Sequence, residues 1–299
     1  MKKAAIIGLG LLGTSLAMAL KGRNYLRMGW TRNPETRKNL LEKGIIDISA
    51  EEPEEIIAEA DITVLCLPLP AITEFCGKYK NHFRKGAVVT DVGSVKLPII
   101  AEAEKDFRDI PVTFVGSHPM AGTENSGPDA AFPELYENAV VFLTPTPSSP
   151  PEAIEEVRSL WNEVNTNCII ISPEEHDRLV AFTSHISHLI ALALTSSVLG
   201  CGKNDRELRK LACCSAFRDC TRVASSSPVM WREIIERNSN NVLEALREFR
   251  NDLECLIDAV SAGNFSGFEE LFAESKKLRD EWVRNRYPSI CSAGKTESK

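Results

Sequence analysis

The chain has 299 residues, of which 43% are hydrophobic and 26% are charged, a composition typical of a globular protein with room for two domains. Its formal net charge of -7 argues against nucleic acid or an anionic membrane as the main partner. The nine cysteines form no CxxC pair, which indicates reduced thiols in a cytoplasmic protein. We therefore expect neither a disulfide framework nor a metal site.

Two apolar stretches could suggest export or membrane insertion. The first, at the N-terminus, is broken by Gly8, Gly10 and Gly13 and has no small-residue cleavage site, so we interpret it as a strand and a turn. The second, Leu179–Leu199, contains two histidines and several hydroxyl side chains. We expect it to be a helix buried between domains or subunits rather than a membrane span.

In residues 1–171, short β-rich stretches alternate with helical patterns such as Glu35–Lys43, Glu54–Glu59 and Glu152–Val164. Nearly continuous apolar strands with helices between them predict a parallel, doubly wound sheet, the Rossmann-type α/β fold. The predicted strands are Ala4–Leu9, Leu26–Thr31, Ile62–Leu67, Ala87–Asp91, Thr113–Gly116, Ala139–Leu143 and Cys168–Ile171.

The pattern changes at Ser172, where Ser-Pro-Glu-Glu forms a capping box with proline at the first helical position. A long apolar helix should follow to about Leu199, and only helical periodicity comes after it. The further predicted helices are Asp205–Ala224, Val229–Val260, which can be bent, and Phe265–Asn285. We expect a dinucleotide-binding domain over 1–171, an all-α domain for substrate binding and dimerisation over 172–288, and a disordered tail over 289–299.

The segment GLGLLG, Gly8 to Gly13, lies between the first predicted strand and the first predicted helix. Glycines at this point permit a tight turn and a close approach of the backbone to a pyrophosphate at the helix N-terminus. The motif alone is weak, but its context within a βαβ unit is correct. The residues that we assign to cofactor binding here are Gly8, Gly10, Leu11, Leu12 and Gly13.

The end of the second predicted strand bears on the choice between NAD and NADP. An acid at this point binds the ribose 2′-hydroxyl of NAD, but Thr31 stands there and Arg32 follows it. A hydroxyl and a guanidinium suit a 2′-phosphate, so we expect NADP, with NAD as the alternative.

Polar residues interrupt apolar elements in three further segments: Asp91–Lys96, Gly116–Gly127 and Ser184–His188. The first two follow predicted strands, and ligands bind in open α/β folds at the carboxyl ends of strands. Three of the five histidines fall in these segments. We therefore expect them to form the active site.

The motifs GLGLLG, DVGSVK, GSHPMAGTENSG, HDRLVAFTSHISHLIALAL and FRDCTRVASSSPVMWREI resemble the successive motifs of prephenate/arogenate dehydrogenases, over roughly residues 1–285. The resemblance implies oxidative decarboxylation on the route to tyrosine: a ring carbon gives a hydride to the nicotinamide, and the ring loses its carboxylate as carbon dioxide. It also implies that His118 accepts the hydroxyl proton and that Ser94 helps to align it. A neutral imidazole is a competent acceptor near pH 7. For Lys96 we expect at most weak anion binding.

By the same resemblance, His188 binds substrate and Arg222 grips a substrate carboxylate. His185 is expected to be structural or orienting. Asp219, three residues before Arg222, could hold the guanidinium in place. Glu124 and Trp231 match further family positions, although Trp231 could equally be a core aromatic. The expected substrate-binding residues are thus His188, Arg222, Glu124, Asp219 and Trp231.

Two alternatives remain. A β-hydroxyacid dehydrogenase has a similar architecture, but it uses a lysine on the first helix of its second domain, and His176–Leu199 contains none. A non-catalytic dinucleotide sensor that dimerises through its helices would leave His118, His188 and Arg222 unexplained. The residues do not distinguish prephenate from arogenate. We expect a homodimer formed through the helical domain, because Leu179–Leu199 is apolar on nearly all faces.

Overall fold

The computed structural model describes residues 1–123, 125–200 and 205–286, and the chain divides into two compact units. The first unit is Met1–Val242, and the second begins at Leu243. The predicted domain boundary at residues 171 and 172 stays a prediction. The predicted tail, 289–299, lies outside the described residues.

A five-stranded parallel sheet forms the centre of the first unit, with strand order β2-β1-β3-β4-β5. The middle strands β3 and β4 are mostly apolar and are buried along their whole length, as expected for a parallel sheet that is covered on both sides. The strands are β1 (Lys2–Ile7), β2 (Tyr25–Trp30), β3 (Ile62–Leu65), β4 (Val88–Asp91) and β5 (Thr113–Phe114).

Two buried apolar clusters cover this sheet. One contains Leu16 and Leu20 of the first helical segment, and the other contains Ile72, Phe75 and Ile99 of later helices. The predicted doubly wound sheet is thereby confirmed. The helices that follow the strands are α1 (Leu11–Ala19), α2 (Pro34–Glu42), α3 (Pro53–Ile57), α4 (Leu69–Tyr79) and α5 (Leu97–Phe107).

A second sheet of three strands follows, in the order β6-β7-β8. The predicted strand Thr113–Gly116 is in fact divided between β5 and β6, and β6 runs antiparallel to β7. An apolar pattern reports burial but not the pairing partner, so the sequence did not reveal this change of sheet. The elements are β6 (Gly116–Pro119), β7 (Val140–Thr144), α6 (Pro151–Glu163) and β8 (Asn167–Ile170).

Helices complete the first unit. The capping box is confirmed: the Glu175 backbone N–H donates to Ser172 Oγ over 3.2 Å, and the Ser172 N–H donates to Glu175 Oε2 over 3.1 Å. The long helix after it contains one π-helical turn, Ala181–His185. The helices are α7 (Pro173–Val180), α8 (Ile186–Leu199), α9 (Arg206–Ala212), α10 (Ser215–Thr221) and α11 (Pro228–Arg237).

Two predicted helices are interrupted. Asp205–Ala224 is divided into α9, α10 and a 3-10 turn at Arg222–Ser225. Val229–Val260 is divided at Asn238, which separates α11 from α12 (Ser239–Ser261). The second unit consists of most of α12 together with α13 (Phe265–Arg286), and it exposes large apolar side chains such as Phe272.

The segment Pro173–Leu199 is long and apolar enough to cross a membrane, by length and composition only, and 28% of its most apolar window is buried. A core helix of a soluble protein passes the same test. Within α8, Ile186 and Ala191 are buried, several other apolar side chains are half-buried, and Leu192 is exposed.

Candidate active site

A buried ion pair between Asp91 and Lys96 lies at the end of β4 and contacts the start of β6. Asp91 ends β4, and its carboxylate accepts hydrogen bonds from the Lys96 ammonium and from the backbone N–H of Gly93, the latter over 2.8 Å. Lys96 also donates to the Ser117 carbonyl over 2.9 Å. Asp91, Lys96 and Ser117 are fully buried. The anion that Lys96 contacts is therefore a residue of its own chain.

Ser117 and His118 lie within strand β6, whereas the sequence predicted that they follow a strand. The Ser117 hydroxyl donates to the Asp91 carbonyl over 2.6 Å and accepts from Trp161 Nε1 over 3.0 Å. Ser117 lies in the polar segment Gly116–Gly127 that the sequence indicated, but neither it nor Trp161 was assigned a role from the sequence.

His118 begins a chain of buried hydrogen bonds that the sequence analysis also missed. His118 Nδ1 lies 2.9 Å from His176 Nε2, and His176 Nδ1 lies 2.8 Å from Asp177 Oδ1. Asp177 accepts from the backbone N–H groups of Lys96 and Leu97 over 2.7 and 2.9 Å. The HD pair at the start of HDRLVAF was visible in the sequence, but its distance from His118 along the chain hid the contact.

Burial keeps these imidazoles neutral. It lowers the pKa of His118 well below the ordinary value of 6.5, and the neighbouring His176 and Lys96 lower the pKa further. Burial likewise lowers the pKa of His176, although the bond to Asp177 opposes the shift. A neutral His118 has one nitrogen with a free lone pair and can accept a proton near pH 7.

A second cluster contains His185, His188 and Trp231. His188 is half-buried and stacks on the Trp231 ring, with 3.8 Å between ring centroids and 29° between planes. His185 is buried, contacts the edge of Trp231 and lies 3.2 Å, by its Nδ1, from Asn238 Nδ2. Burial lowers the pKa of His185 to about 4. Trp231 also packs against the apolar core, so both interpretations of this residue agree with its contacts.

Arg222 lies within electrostatic reach of His188, since burial and then the Arg222 charge lower the pKa of His188, while a bond to the Ser184 carbonyl raises it. Arg222 is exposed at the start of its 3-10 turn. Asp219 contacts Arg218, whose Nε lies 3.0 Å from Asp219 Oδ1. The predicted role of Asp219 towards Arg222 stays a prediction.

Ser94 and Glu124 are the remaining predicted site residues. Ser94 is half-buried in the loop between β4 and α5, and among the described residues no hydrogen bond joins it to His118. Its predicted aligning role stays a prediction. Glu124 lies outside the described residues.

The glycine segment has the geometry of a pyrophosphate site. A Cβ on Gly8, which has φ +98°, would lie 2.2 Å from the Cys66 carbonyl oxygen, and one on Gly13 would lie 2.0 Å from that of Gly8. A Cβ on Gly10 would meet nothing within 4 Å. The first and third glycines therefore permit close packing, and the second leaves open space at the N-terminus of α1. These residues fit a dinucleotide.

The other predicted cofactor residues flank this open space. Leu11 and Leu12 begin α1 and pack against the apolar core. Thr31 directly follows β2, its carbonyl accepts a hydrogen bond from Arg37 Nη1, and Arg32 is exposed beside it. No acidic side chain stands at the end of β2, and Asn33 caps α2 by accepting from Glu35 and Thr36.

Comparison with known families agrees with this arrangement. Residues 15–170 match the family described as prephenate dehydrogenase, nucleotide-binding domain, and residues 172–274 match its dimerization domain. The chain belongs to the prephenate dehydrogenase family. The predicted family and fold class are confirmed, and the protein is an oxidoreductase with a nicotinamide dinucleotide cofactor.

Individual relatives align over nearly the whole chain. The cyclohexadienyl dehydrogenase of Zymomonas mobilis is 35% identical over 93% of this chain and 95% of its own length. The prephenate dehydrogenase of Bacillus subtilis is 31% identical over 92% of this chain and 74% of its own length.

Solved structures agree with these alignments. The prephenate dehydrogenase of A. aeolicus, in complex with hydroxyphenyl propionate and NAD+, has a TM-score of 0.86 at 31% identity and covers 94% of this chain and 98% of its own. Synechocystis arogenate dehydrogenase has a TM-score of 0.82 at 30% identity, over 94% and 100% of the two chains. A 3-hydroxyisobutyrate dehydrogenase from Salmonella typhimurium reaches 0.59 at 14% identity, over 88% of this chain and 95% of its own, which shows a shared fold alone and does not favour the β-hydroxyacid alternative.

Proposed function

We propose that the protein catalyses the oxidative decarboxylation of prephenate or arogenate, with His118 as the base. The observation that carries this proposal is a buried, neutral His118 with one ring nitrogen bound to His176, within a chain of this family. The bound nicotinamide would supply the hydride acceptor. His118 would take the proton of the ring hydroxyl, which promotes hydride departure and the loss of the ring carboxylate as carbon dioxide.

The first prediction concerns His118. His118→Asn should lower kcat with prephenate roughly 10²- to 10⁴-fold, the usual contribution of a general base, and should leave the substrate KM nearly unchanged. Steady-state formation of reduced cofactor at 340 nm measures this. His82→Asn is the matched control, because His82 is exposed and its ring lies beside Tyr79, which is not a residue of the site. Near-normal turnover of a folded His118→Asn enzyme would remove His118 from this role.

We also propose that NADP is preferred to NAD. Thr31, Arg32 and the absence of an acid after β2 support this preference. Arg32→Ala should lower kcat/KM for NADP by roughly 10- to 100-fold, the value of one hydrogen bond to a charged group, and should leave NAD little affected. Arg23→Ala, also exposed but at the other end of β2, is the control. A wild-type enzyme that prefers NAD contradicts the proposal.

Arg222 is proposed to bind a carboxylate of the substrate. Its proximity to His188 supports this role, and a planar guanidinium can pair with a carboxylate through two hydrogen bonds. Arg222→Ala should raise the substrate KM by about 10- to 100-fold with little change in the cofactor KM, and Arg222→Lys should recover little. Arg218→Ala, the exposed neighbour that pairs with Asp219, is the control. Equal, small effects of the Arg222 and Arg218 variants would mean that Arg222 is a surface residue.

A homodimer formed through the helical residues 172–288 is the last part of the proposal. It is supported by the dimerization domain of the family and by the exposed apolar residues of α8, including Leu192. Burying such a surface in a second copy is favourable by roughly 25 cal/mol per Å² of apolar area. Light scattering at micromolar concentration should give twice the chain mass, and Leu192→Glu should shift it towards the monomer. A wild-type monomer under these conditions is the contrary result.

A further inference from the structure

The ring of His118 is the first of three buried side chains that are joined by hydrogen bonds. Its Nδ1 lies 2.9 Å from His176 Nε2, and His176 Nδ1 lies 2.8 Å from the Asp177 carboxylate. His176 is fully buried, and Asp177 is 3% exposed. With one nitrogen of His118 in this chain, only the other nitrogen can receive a proton from a ligand.

Asp177 determines which group donates and which accepts in each of these hydrogen bonds. Its two oxygens accept hydrogen bonds from the backbone N–H groups of Lys96 and Leu97, over 2.7 and 2.9 Å, at the N-terminus of α5. Both carboxyl oxygens thus already act as acceptors, and Oδ1, which faces the His176 ring, acts as an acceptor towards it too. His176 must therefore carry a hydrogen on Nδ1, the nitrogen that faces Asp177.

The tautomer of His118 follows from that of His176. A neutral His176 with its hydrogen on Nδ1 presents a bare Nε2, which accepts from His118 Nδ1–H. Burial and the Lys96 charge lower the pKa of His176, so this neutral form is the one present near pH 7. A neutral His118 with its hydrogen on Nδ1 then has its lone pair on Nε2.

We propose that His176 and Asp177 are positioning residues that hold His118 in the Nδ1–H tautomer, so that Nε2 is the atom that accepts the substrate proton. This inference rests on the proposed function only in treating His118 as the base. The logic is that of a serine protease triad, in which a carboxylate sets the tautomer of the catalytic imidazole, except that a second imidazole stands between the two groups. When His118 takes the proton, its bond to His176 becomes charge-assisted and therefore stronger.

The kinetic test compares two substitutions of His176. The amide oxygen of His176→Gln can accept from His118 Nδ1–H, whereas His176→Leu offers no acceptor. We expect His176→Leu to lower kcat on the order of 10²-fold, the usual effect of a misplaced catalytic group, with substrate and cofactor KM nearly unchanged. His176→Gln should recover most of the loss, and His82→Leu, an exposed control, should have no effect. Equal losses in the Gln and Leu variants would overturn the proposal.

A second readout does not depend on the substrate. In protein with ¹⁵N-labelled imidazoles, the His118 signals can be assigned by their loss in His118→Asn. At pH 7.5 we expect wild-type His118 to carry its proton on Nδ1 and to have a bare Nε2, and we expect His176→Leu to move part of the population to Nε2–H. A wild-type proton on Nε2 would overturn the proposal even if His176→Leu does not fold. Absence of activity with prephenate and arogenate would instead count against the proposed function and leave the tautomer result standing.

Discussion

One buried residue, Asp177, joins three parts of the first unit. Its carboxylate accepts from the backbone N–H groups at the start of α5 and contacts the ring of His176, and its backbone carbonyl accepts from Asn238 Nδ2 over 2.7 Å. A buried polar group is tolerated only when it is hydrogen-bonded, and leaving one without its partner costs about 1 to 3 kcal/mol. The position of α7 against α5 is therefore set by this carboxylate, and His176 reaches His118 as a consequence.

The ion pair of Asp91 and Lys96 performs a similar task within the sheets. Both side chains are fully buried, so the attraction between them must offset the loss of two hydration shells. The pair positions the two strands relative to each other, because the Lys96 ammonium also donates to the Ser117 carbonyl and so holds the end of β4 against β6. His118 follows Ser117 directly, so the same contacts restrain the backbone position of His118.

Burial then determines the chemistry of the histidines. His118, His176 and His185 are at most 9% exposed, and in each case burial is the largest cause of a lowered pKa. A protein with a net charge of -7 would otherwise favour protonated imidazoles. Burial thus favours the neutral form of all three rings at neutral pH, and it is this form that the proposed role of His118 as a proton acceptor uses.

The sequence by itself determined the family, the doubly wound sheet, the capping box at Ser172 and the glycine segment. Each of them depends on short motifs or on the periodicity of apolar residues, which involve only residues close together in the chain. Only the tertiary structure revealed that Thr113–Gly116 is divided between two sheets and that the predicted helix Val229–Val260 is interrupted at Asn238. It alone brought His176 and Asp177 to His118. These contacts join residues 58 positions apart, and such contacts depend on how helices and strands pack, which no local pattern of residues encodes.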